Sequence, residues 1–510
     1  MKAAASTPVW CRPAGFGALL VAYAVVHVIL RVWLSTALTI DDSREAMLAQ
    51  TLEWGYQPRQ PPLYNWLVWA AFRVVGVGVL GLTLVKYAVL ALAYAFLYAS
   101  GRRILADGRL PALAALSLLL MVPITWVVHE ALTHSVAVLA AAAATFYTLL
   151  RVEASGSRRA YAALGAAVAA GLLSKFSFGL FAGALLIAAL TVDRFRARLL
   201  HPRVLLAVGT TALVALPFAL WFYRHEFSLT RIYAEEVDPG QPEPWLRGVA
   251  SALYYTVRVS LYYLTPVWLV LLALFPRAWR RAGTDGAPPP AGERLLARFF
   301  LAELGIVLAG ALFAGLTYLK FRWMMPALFL FPLYVFCRVD RRPVDGARLR
   351  GYGRVLLVTE AIVLLAFVGN VYRGDALGKP SHLNAPYDAL AAQLAAAGFT
   401  HGTLAGGEGP VAGPVAGNLR LWFPRARVVR IANPDYVPPG GGDGQCLIVW
   451  EKERSDTVPA EVREWLAAAL GATVPPEVPG RSLEALYHHA TGQVLRVRYL
   501  LLPQGTGRCR

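Results

Sequence analysis

Long apolar runs constrain this chain more than any other feature of its sequence. A helix needs about 20 mostly apolar residues to cross the hydrocarbon core of a bilayer. Eleven candidate runs lie at about 15–36, 79–101, 110–127, 133–151, 160–174, 176–192, 203–223, 252–275, 298–318, 323–338 and 354–372. The sequence therefore predicts a polytopic α-helical membrane protein with about 11 transmembrane helices, all within residues 1–372.

Composition excludes two other classes of protein. Hydrophobic residues make up 57% of the 510-residue chain and charged residues only 16%, whereas soluble domains average about 25% charged residues. An ordinary soluble enzyme is excluded on that ground. A disordered chain is excluded because the apolar content is too high.

The positive charge of the chain is unevenly distributed. The net charge is +18, and residues 373–510 contribute only +2 of it. Most other basic residues lie in alternate short gaps between apolar runs, which the positive-inside rule places in the cytoplasm. We therefore predict a cytoplasmic N-terminus, a first apolar run retained as a helix, and residues 373–510 on the outer side. Nucleic acid is not an expected partner, because the basic excess lies between membrane spans.

The C-terminal part, residues 373–510, has the pattern of a small α/β domain. Helical patterns occur at 385–397 and 459–470, and short apolar strand-like runs at 426–431, 446–450 and 494–502. We expect this domain to cover the membrane domain, residues 1–372, or to hold an acceptor. Cys446 and Cys509 fall on the outer side, where a disulfide can form, and two unpaired thiols are the alternative.

An acidic pair begins the first outer loop, residues 39–67. Asp41 and Asp42 directly follow the first apolar run, and residues 43–54 have the apolar spacing of an amphipathic helix on the membrane surface. Pro61-Pro62 then precedes a second interfacial helix with aromatic residues. The acidic pair has two interpretations: catalysis, or capping of the surface helix by Asp42.

The second outer loop contains Glu130 and His134, four residues apart and expected on one helical face. That spacing suits two ligands of a metal ion, but no third ligand is adjacent. A polar helix cap or a contact with substrate are the alternatives. No cofactor is assigned, because a divalent metal would need a fuller set of ligands.

Several basic residues lie on the outer side, where the positive-inside rule disfavours them. They are Lys86, Lys175, Arg224, Lys320 and Arg322. A lysine that faces lipid at the centre of a span costs about 2.5–3.5 kcal/mol, so each must snorkel to the interface or face a polar site. A lipid phosphate is a suitable partner, since arginine binds phosphate bidentately and lysine acts as a point charge.

Carboxylates and phosphate-binding cations on one membrane face suit sugar transfer from a polyprenyl phosphate. The cations stabilise the departing lipid phosphate as its charge develops. A carboxylate takes the proton of the acceptor hydroxyl. The predicted partners are therefore a polyprenyl-phosphate-linked sugar donor, a lipid or glycan acceptor and the membrane lipids.

Four short motifs carry a resemblance to a known family. They are D-D-S-R-E at 41–45, G-Y…P-P-L-Y-N-W-L at 55–67, L-L-S-K-F-S-F-G at 172–179 and K-F-R-W-M-M-P at 320–326. In these motifs the sequence resembles the GT-C superfamily of integral-membrane glycosyltransferases. The nearest branch contains lipid A aminoarabinose transferase and the core galacturonosyltransferases, which are related to the protein O-mannosyltransferases. The resemblance implies the GT-C fold, an inverting transferase and a place in the bacterial inner membrane.

The resemblance also implies roles for individual residues. Asp41 matches the first position of the family's acidic pair, the expected general base, with Asp42 beside it. The expected donor-phosphate ligands are Lys175, Arg224 and Arg322, joined by Lys320 and Lys86. Aminoarabinose transferases have Glu-Lys before Pro-Pro-Leu where this chain has Arg59-Gln60, which removes one proposed metal ligand. The expected substrate contacts are Arg59, Gln60, Tyr64, Glu130 and His134.

Two other functions are compatible with a polytopic membrane protein. One is a flippase for polyprenyl-linked lipids, or another transporter, without transferase activity. Such proteins often have internal repeats and sites at the bilayer midplane, whereas the polar clusters here lie at one face. The other is a scaffold that presents the C-terminal domain, which leaves the acidic pair without a role. Lipid A, lipopolysaccharide and other glycans or lipids all fit as acceptors.

Overall fold

The computed structural model describes residues 7–232, 244–279, 288–343, 345–373, 376, 380–407, 412–440, 444–451, 455–502 and 509. They divide into two compact units. The first unit comprises Met1–Ala24, Pro58–Leu63 and Ala88–Val363, and the second comprises Val25–Gln57, Tyr64–Tyr87 and Leu364–Arg510. The predicted boundary between a membrane domain, 1–372, and an outer domain, 373–510, stays a prediction.

Helices account for most of residues 13–372. In chain order they are α1 (Pro13–Leu34), α2 (Ile40–Leu48), α3 (Leu63–Val75), α4 (Val79–Ile104), α5 (Leu110–Leu116), α6 (Val128–Glu130), α7 (Thr133–Ser155), α8 (Arg158–Leu172), α9 (Phe178–Leu190), α10 (Asp193–Leu199), α11 (Val204–Arg224), α12 (Trp245–Leu264), α13 (Val267–Leu274), α14 (Ala291–Phe313), α15 (Met325–Leu328), α16 (Phe331–Asp340) and α17 (Gly346–Tyr372). Among the described residues, six helices are long and apolar enough to span a bilayer: α1, α4, α7, α11, α14 and α17. The pair α9–α10, bent by 110°, makes a seventh span if it is counted as one.

Several predicted spans are interrupted helices. The run at 110–127 is divided into α5, a 3-10 turn at Ser117–Leu120 and a π-helix at Pro123–Val127. The run at 252–275 is divided between α12 and α13, with Pro266 between them, because a proline ring cannot continue a helix from the preceding turn. The apolar helices that are long enough to span a bilayer confirm the polytopic helical fold. The total of eleven spans stays a prediction.

Small residues set the helix packing in the first unit. Helices α7 and α8, α8 and α11, and α9 and α14 pack against each other. Gly165 of α8 faces the backbone of α11 so closely that a Cβ atom there would lie 2.3 Å from the carbonyl oxygen of Ala207. Such glycine and alanine contacts let membrane helices approach closely.

A five-stranded sheet forms the centre of the C-terminal part of the second unit. Its strands are β1 (Gly402–Gly406), β2 (Arg427–Arg430), β3 (Gln445–Glu451), β4 (Arg481–Leu486) and β5 (Val494–Leu502), in the order β2-β1-β3-β5-β4. The β1 strand is parallel to β2 and β3, and β5 is antiparallel to β3 and β4. Among the described residues, the domain also contains the α-helices α18 (Tyr387–Ala396), α19 (Ala412–Leu419) and α20 (Ala460–Leu470). The predicted small α/β domain is confirmed.

Each face of this sheet has its own apolar core. One core includes Leu404 and Val428 of the sheet with Leu390 of α18, and it extends to Met47 and Leu48 of α2. The other core contains Trp450 and the buried face of α20, such as Val462 and Leu466. The structure joins Cys446 and Cys509 in a disulfide, which decides between the two alternatives that the sequence left open.

Candidate active site

The acidic pair lies in the first turn of α2. Thr39 is the N-cap: its Oγ1 accepts a hydrogen bond from the backbone N–H of Asp42 at 3.4 Å and donates to Asp42 Oδ2 at 3.1 Å. Carboxylates are favoured at this position because the helix N-terminus carries partial positive charge. Because Thr39 is the N-cap and Asp42 lies inside the first turn, the alternative in which Asp42 itself caps the helix is wrong. The helix begins and ends earlier than the predicted 43–54, and most of its residues are buried.

Asp42 is held in a buried ion pair. Lys86 Nζ lies 3.1 Å from both Asp42 Oδ1 and Oδ2, and each side chain is only 5% exposed. Arg31 of α1 is also buried and close enough to interact electrostatically with Asp42, while it donates to the carbonyl oxygens of Ser35 and Ala37. The phosphate role predicted for Lys86 stays a prediction, whereas its pairing with Asp42 is an observed contact.

Removal of Lys86 should destabilise the protein. Breaking one side of a buried ion pair leaves an uncompensated charge and costs about 3–5 kcal/mol. We expect Lys86→Met to lower the apparent melting temperature in detergent by several degrees. The double variant Lys86→Met/Asp42→Asn also removes the carboxylate that the single variant leaves without Lys86. We therefore expect it to recover part of the lost stability. A double variant less stable than Lys86→Met alone would contradict the ion pair as the cause.

Tyr64 and Asn65, at the start of α3, complete the cluster in the second unit. Burial raises the pKa of the Tyr64 phenol well above its ordinary value, and the nearby carboxylates of Asp42, Glu45 and Asp41 raise it further. Asn65 donates a short hydrogen bond of 2.5 Å to Glu45 Oε2, which is also buried. The D-D-S-R-E and L-Y-N segments are therefore neighbours, and Asp41 remains half-buried at the edge of this cluster.

Arg31 and Glu45 are cluster members that the sequence did not identify as site residues. Each had a signal in the sequence. Arg31 is a cation at the end of an apolar run, and Glu45 follows the acidic pair by one helical turn.

Three segments meet around Lys175 in the first unit. Lys175 Nζ donates to Ser135 Oγ at 2.9 Å, and His134 Nδ1 lies 3.3 Å from the carbonyl oxygen of Ser174. The backbone N–H of Leu63 donates to the carbonyl oxygen of Leu173 at 2.9 Å. The Pro-Pro-Leu segment, the start of α7 and the turn between α8 and α9 are thus joined. Lys175 itself is half-buried in this turn.

The prediction that Glu130 and His134 lie on one helical face is wrong. Glu130 ends α6, and the chain leaves the helical conformation at Ala131 and Leu132, where Leu132 has a φ of +69°. His134 lies in the first turn of the next helix, α7. The four-residue spacing therefore does not place both side chains on one face. Within the described ranges, no three His, Cys, Asp or Glu side chains gather as a metal site.

Tyr262 connects two further predicted site regions of the first unit. Its phenol is close enough to Glu130 for an electrostatic interaction, and its ring lies 6.0 Å from that of Phe321. On either side of Phe321, Lys320 and Arg322 are half-buried. The ammonium of Lys320 is 5.5 Å from the centre of the Trp323 ring, within range of a cation–π contact.

The remaining predicted site residues lie at element ends. Arg224 is the last residue of α11 and is exposed. Arg59 is exposed and Gln60 half-buried, just before α3.

Comparison with known proteins identifies the family. Over 461 residues the chain is 31% identical to the lipopolysaccharide core galacturonosyltransferase RgtB of Rhizobium johnstonii, with 90% of this chain and 92% of that protein covered. The chain belongs to the GT-C superfamily of integral-membrane glycosyltransferases. This glycosyltransferase is also 30% identical to the galacturonosyltransferase RgtA of the same organism, over 89% of this chain and 90% of that protein. Its residues 59–221 match the family described as dolichyl-phosphate-mannose-protein mannosyltransferase.

The fold of this GT-C glycosyltransferase also has a crystallographic counterpart. It is similar to ArnT from Cupriavidus metallidurans, solved bound to undecaprenyl phosphate, with a TM-score of 0.63 and 13% sequence identity, over 96% of this chain and 98% of that chain. The predicted GT-C fold, the multi-pass membrane protein and the glycosyltransferase activity are confirmed. A flippase without transferase activity and a scaffold are therefore no longer needed to explain the sequence.

Proposed function

We propose that this glycosyltransferase moves a sugar from a polyprenyl-phosphate donor to a hydroxyl of an envelope acceptor, with inversion at the anomeric carbon. We further propose that it works at the periplasmic face of the bacterial inner membrane, with a cytoplasmic N-terminus. Residues 1–372 are the membrane domain and residues 373–510 the periplasmic domain in this proposal. The basic gaps between the apolar runs support this orientation.

The division of roles within the acidic pair carries the proposal. Asp42 is buried and engaged by Lys86, so its carboxylate serves the structure of α2. Asp41 is half-buried, and a carboxylate with access to solvent is able to accept a proton from an acceptor hydroxyl. Asp41 is accordingly the proposed general base, and the attack of the deprotonated hydroxyl displaces the lipid phosphate in one step.

The proposed donor-phosphate ligands are Lys175, Arg322 and Arg224, assisted by Lys320. Their positive charge stabilises the phosphate as it leaves. The proposed contacts with the sugar and the acceptor come from Arg59, Gln60, Tyr64, Glu130 and His134. The structure of ArnT bound to undecaprenyl phosphate supports a polyprenyl carrier, and the two Rhizobium relatives, both lipopolysaccharide core galacturonosyltransferases, support a lipopolysaccharide acceptor.

A transfer assay in liposomes tests the proposed function. Purified protein is mixed with radiolabelled polyprenyl-phosphate galacturonic acid, the donor that the names of the relatives suggest first, and with lipopolysaccharide core or lipid A. Other polyprenyl-phosphate sugars are assayed in parallel. We expect label to reach an acceptor and the anomeric configuration of the product to be inverted. Folded protein that transfers no label from any donor, or a product with retained configuration, would contradict the proposal.

A further inference from the structure

The C-terminal sheet domain packs against α2, the helix that carries the acidic pair. The contacts between α19 and α2 all lie within the second unit. We propose that Gly417 and Asn418 of α19 are positioning residues that hold α2 so that Asp41 has its reactive orientation. This inference rests on the proposed role of Asp41 as the general base.

Gly417 brings the backbones of α19 and α2 together. A Cβ atom at this position would lie 2.0 Å from the carbonyl oxygen of Ser43 and 2.6 Å from its carbonyl carbon. Both atoms belong to the backbone, so no rotation of a side chain could relieve the clash. Ser43 is two residues after Asp41, in the same turn of α2. A larger residue at 417 therefore has to displace the turn that carries Asp41.

Asn418 fixes the chain immediately before the helix. Its Oδ1 accepts a hydrogen bond from the backbone N–H of Leu38 at 2.6 Å, and its Nδ2 donates to the carbonyl oxygens of Leu38 at 3.3 Å and Pro414 at 2.9 Å. Leu38 precedes the N-cap Thr39. Asn418 is fully buried, so water cannot replace these bonds, and their loss would leave backbone groups unsatisfied.

The C-terminal end of α2 is held by the same domain. Arg420 donates to the carbonyl oxygen of Ala46. Gln50 bonds both backbone groups of Val428 in β2, each at 2.7 Å. Both ends of the helix are thus fixed to the C-terminal sheet domain. A helix of nine residues is too short to be stable alone, so these contacts decide where its carboxylates point.

Substitution of Gly417 should lower turnover more than donor binding. A displacement of about 1 Å at a reacting group can cost about a hundredfold in rate. We expect Gly417→Ala to lower kcat at least tenfold and to leave the KM for the donor within about twofold, because the four phosphate ligands of the proposed function, Lys175, Arg224, Lys320 and Arg322, belong to the first unit. The matched control is Gly369→Ala in α17, where a Cβ atom meets nothing within 4 Å, and it should behave as wild type.

Asn418→Ala provides a second variant in case Gly417→Ala does not fold. It removes the hydrogen bonds to Leu38 and Pro414 without adding any atom or charge against the backbone of α2, so we expect a severalfold fall in kcat at unchanged donor KM. In a double-mutant cycle, either substitution should cause little further loss once Asp41 is replaced by Asn, because it acts through that residue.

Three outcomes would overturn the positioning role while the base assignment stands: wild-type turnover of both variants, an equal effect on donor KM, or losses fully additive with that of Asp41→Asn. Wild-type turnover of Asp41→Asn itself would contradict the assignment of Asp41 as the general base. The positioning role, which rests on that assignment, would then be rejected as well.

Discussion

Asp41→Asn should lower the turnover of sugar transfer by about a thousandfold while the protein stays folded. General base catalysis contributes about 10²–10⁴ in rate, and an amide of the same shape cannot accept the proton. The carboxylate that pairs with Lys86 comes from Asp42, so Asp41→Asn keeps both partners of that ion pair. The measurement is the initial rate of label transfer in liposomes, beside the melting temperature in detergent.

Glu53→Gln is the matched control for this variant. Glu53 is a half-buried acid in the same segment, residues 39–67, five residues after α2 ends, so the change removes the same charge without altering the acidic pair. We expect it to transfer sugar at nearly the wild-type rate. If Asp42→Asn were inactive but well folded, and Asp41→Asn were nearly normal, the base would have to be reassigned to Asp42.

The apolar runs made the helical membrane fold predictable, and the short apolar strands predicted the α/β tail. The strands β3 and β5 correspond closely to the predicted runs at 446–450 and 494–502. The strands β1 and β4 were missed for different reasons. Glycines begin and end β1, which made it resemble a loop, and β4 has mostly exposed or half-buried residues, so it lacks the apolar run of a buried strand.

The residues of the candidate site were easier to predict than their partners. Asp42 and Lys86 were both noticed, yet they are 44 residues apart in sequence, and a single sequence offers no sign that one neutralises the other. Leu132 shows the same difficulty at short range. A leucine with positive φ is uncommon, so the regular spacing of Glu130 and His134 predicted a continuous helix that does not form.

The packing of α19 against α2 could not be predicted from the sequence for a further reason. Asn418 and Leu38 are 380 residues apart in sequence, and glycine at 417 looks like any glycine in a Gly-rich segment. Its role becomes visible only when the carbonyl oxygen of Ser43 is known to occupy the space of its missing side chain. The tail domain, whose role the sequence left open, thereby gains a direct connection to the proposed base.

Lys175→Met should lower kcat/KM for the donor by about 10²–10³, the loss typical of removing one donor that stabilises a developing anion. Snorkelling was the alternative explanation for a lysine at this position. In the structure, however, the ammonium is held by Ser135 Oγ and sits in a turn that also contacts His134 and the Pro-Pro-Leu segment. This arrangement orients the charge rather than letting it follow the lipid surface.

Three variants separate charge from orientation at this position. Lys175→Arg keeps the charge and should retain part of the activity, because a guanidinium also binds phosphate. Ser135→Ala keeps the lysine but removes its hydroxyl partner, so a smaller loss, confined to severalfold, is expected. Direct binding of undecaprenyl phosphate should weaken in Lys175→Met and stay near normal in Asp41→Asn, because only the first residue is proposed to touch the phosphate. Equal phosphate binding by Lys175→Met and wild type would exclude Lys175 as a phosphate ligand, and the search would then turn to Arg322 and Arg224.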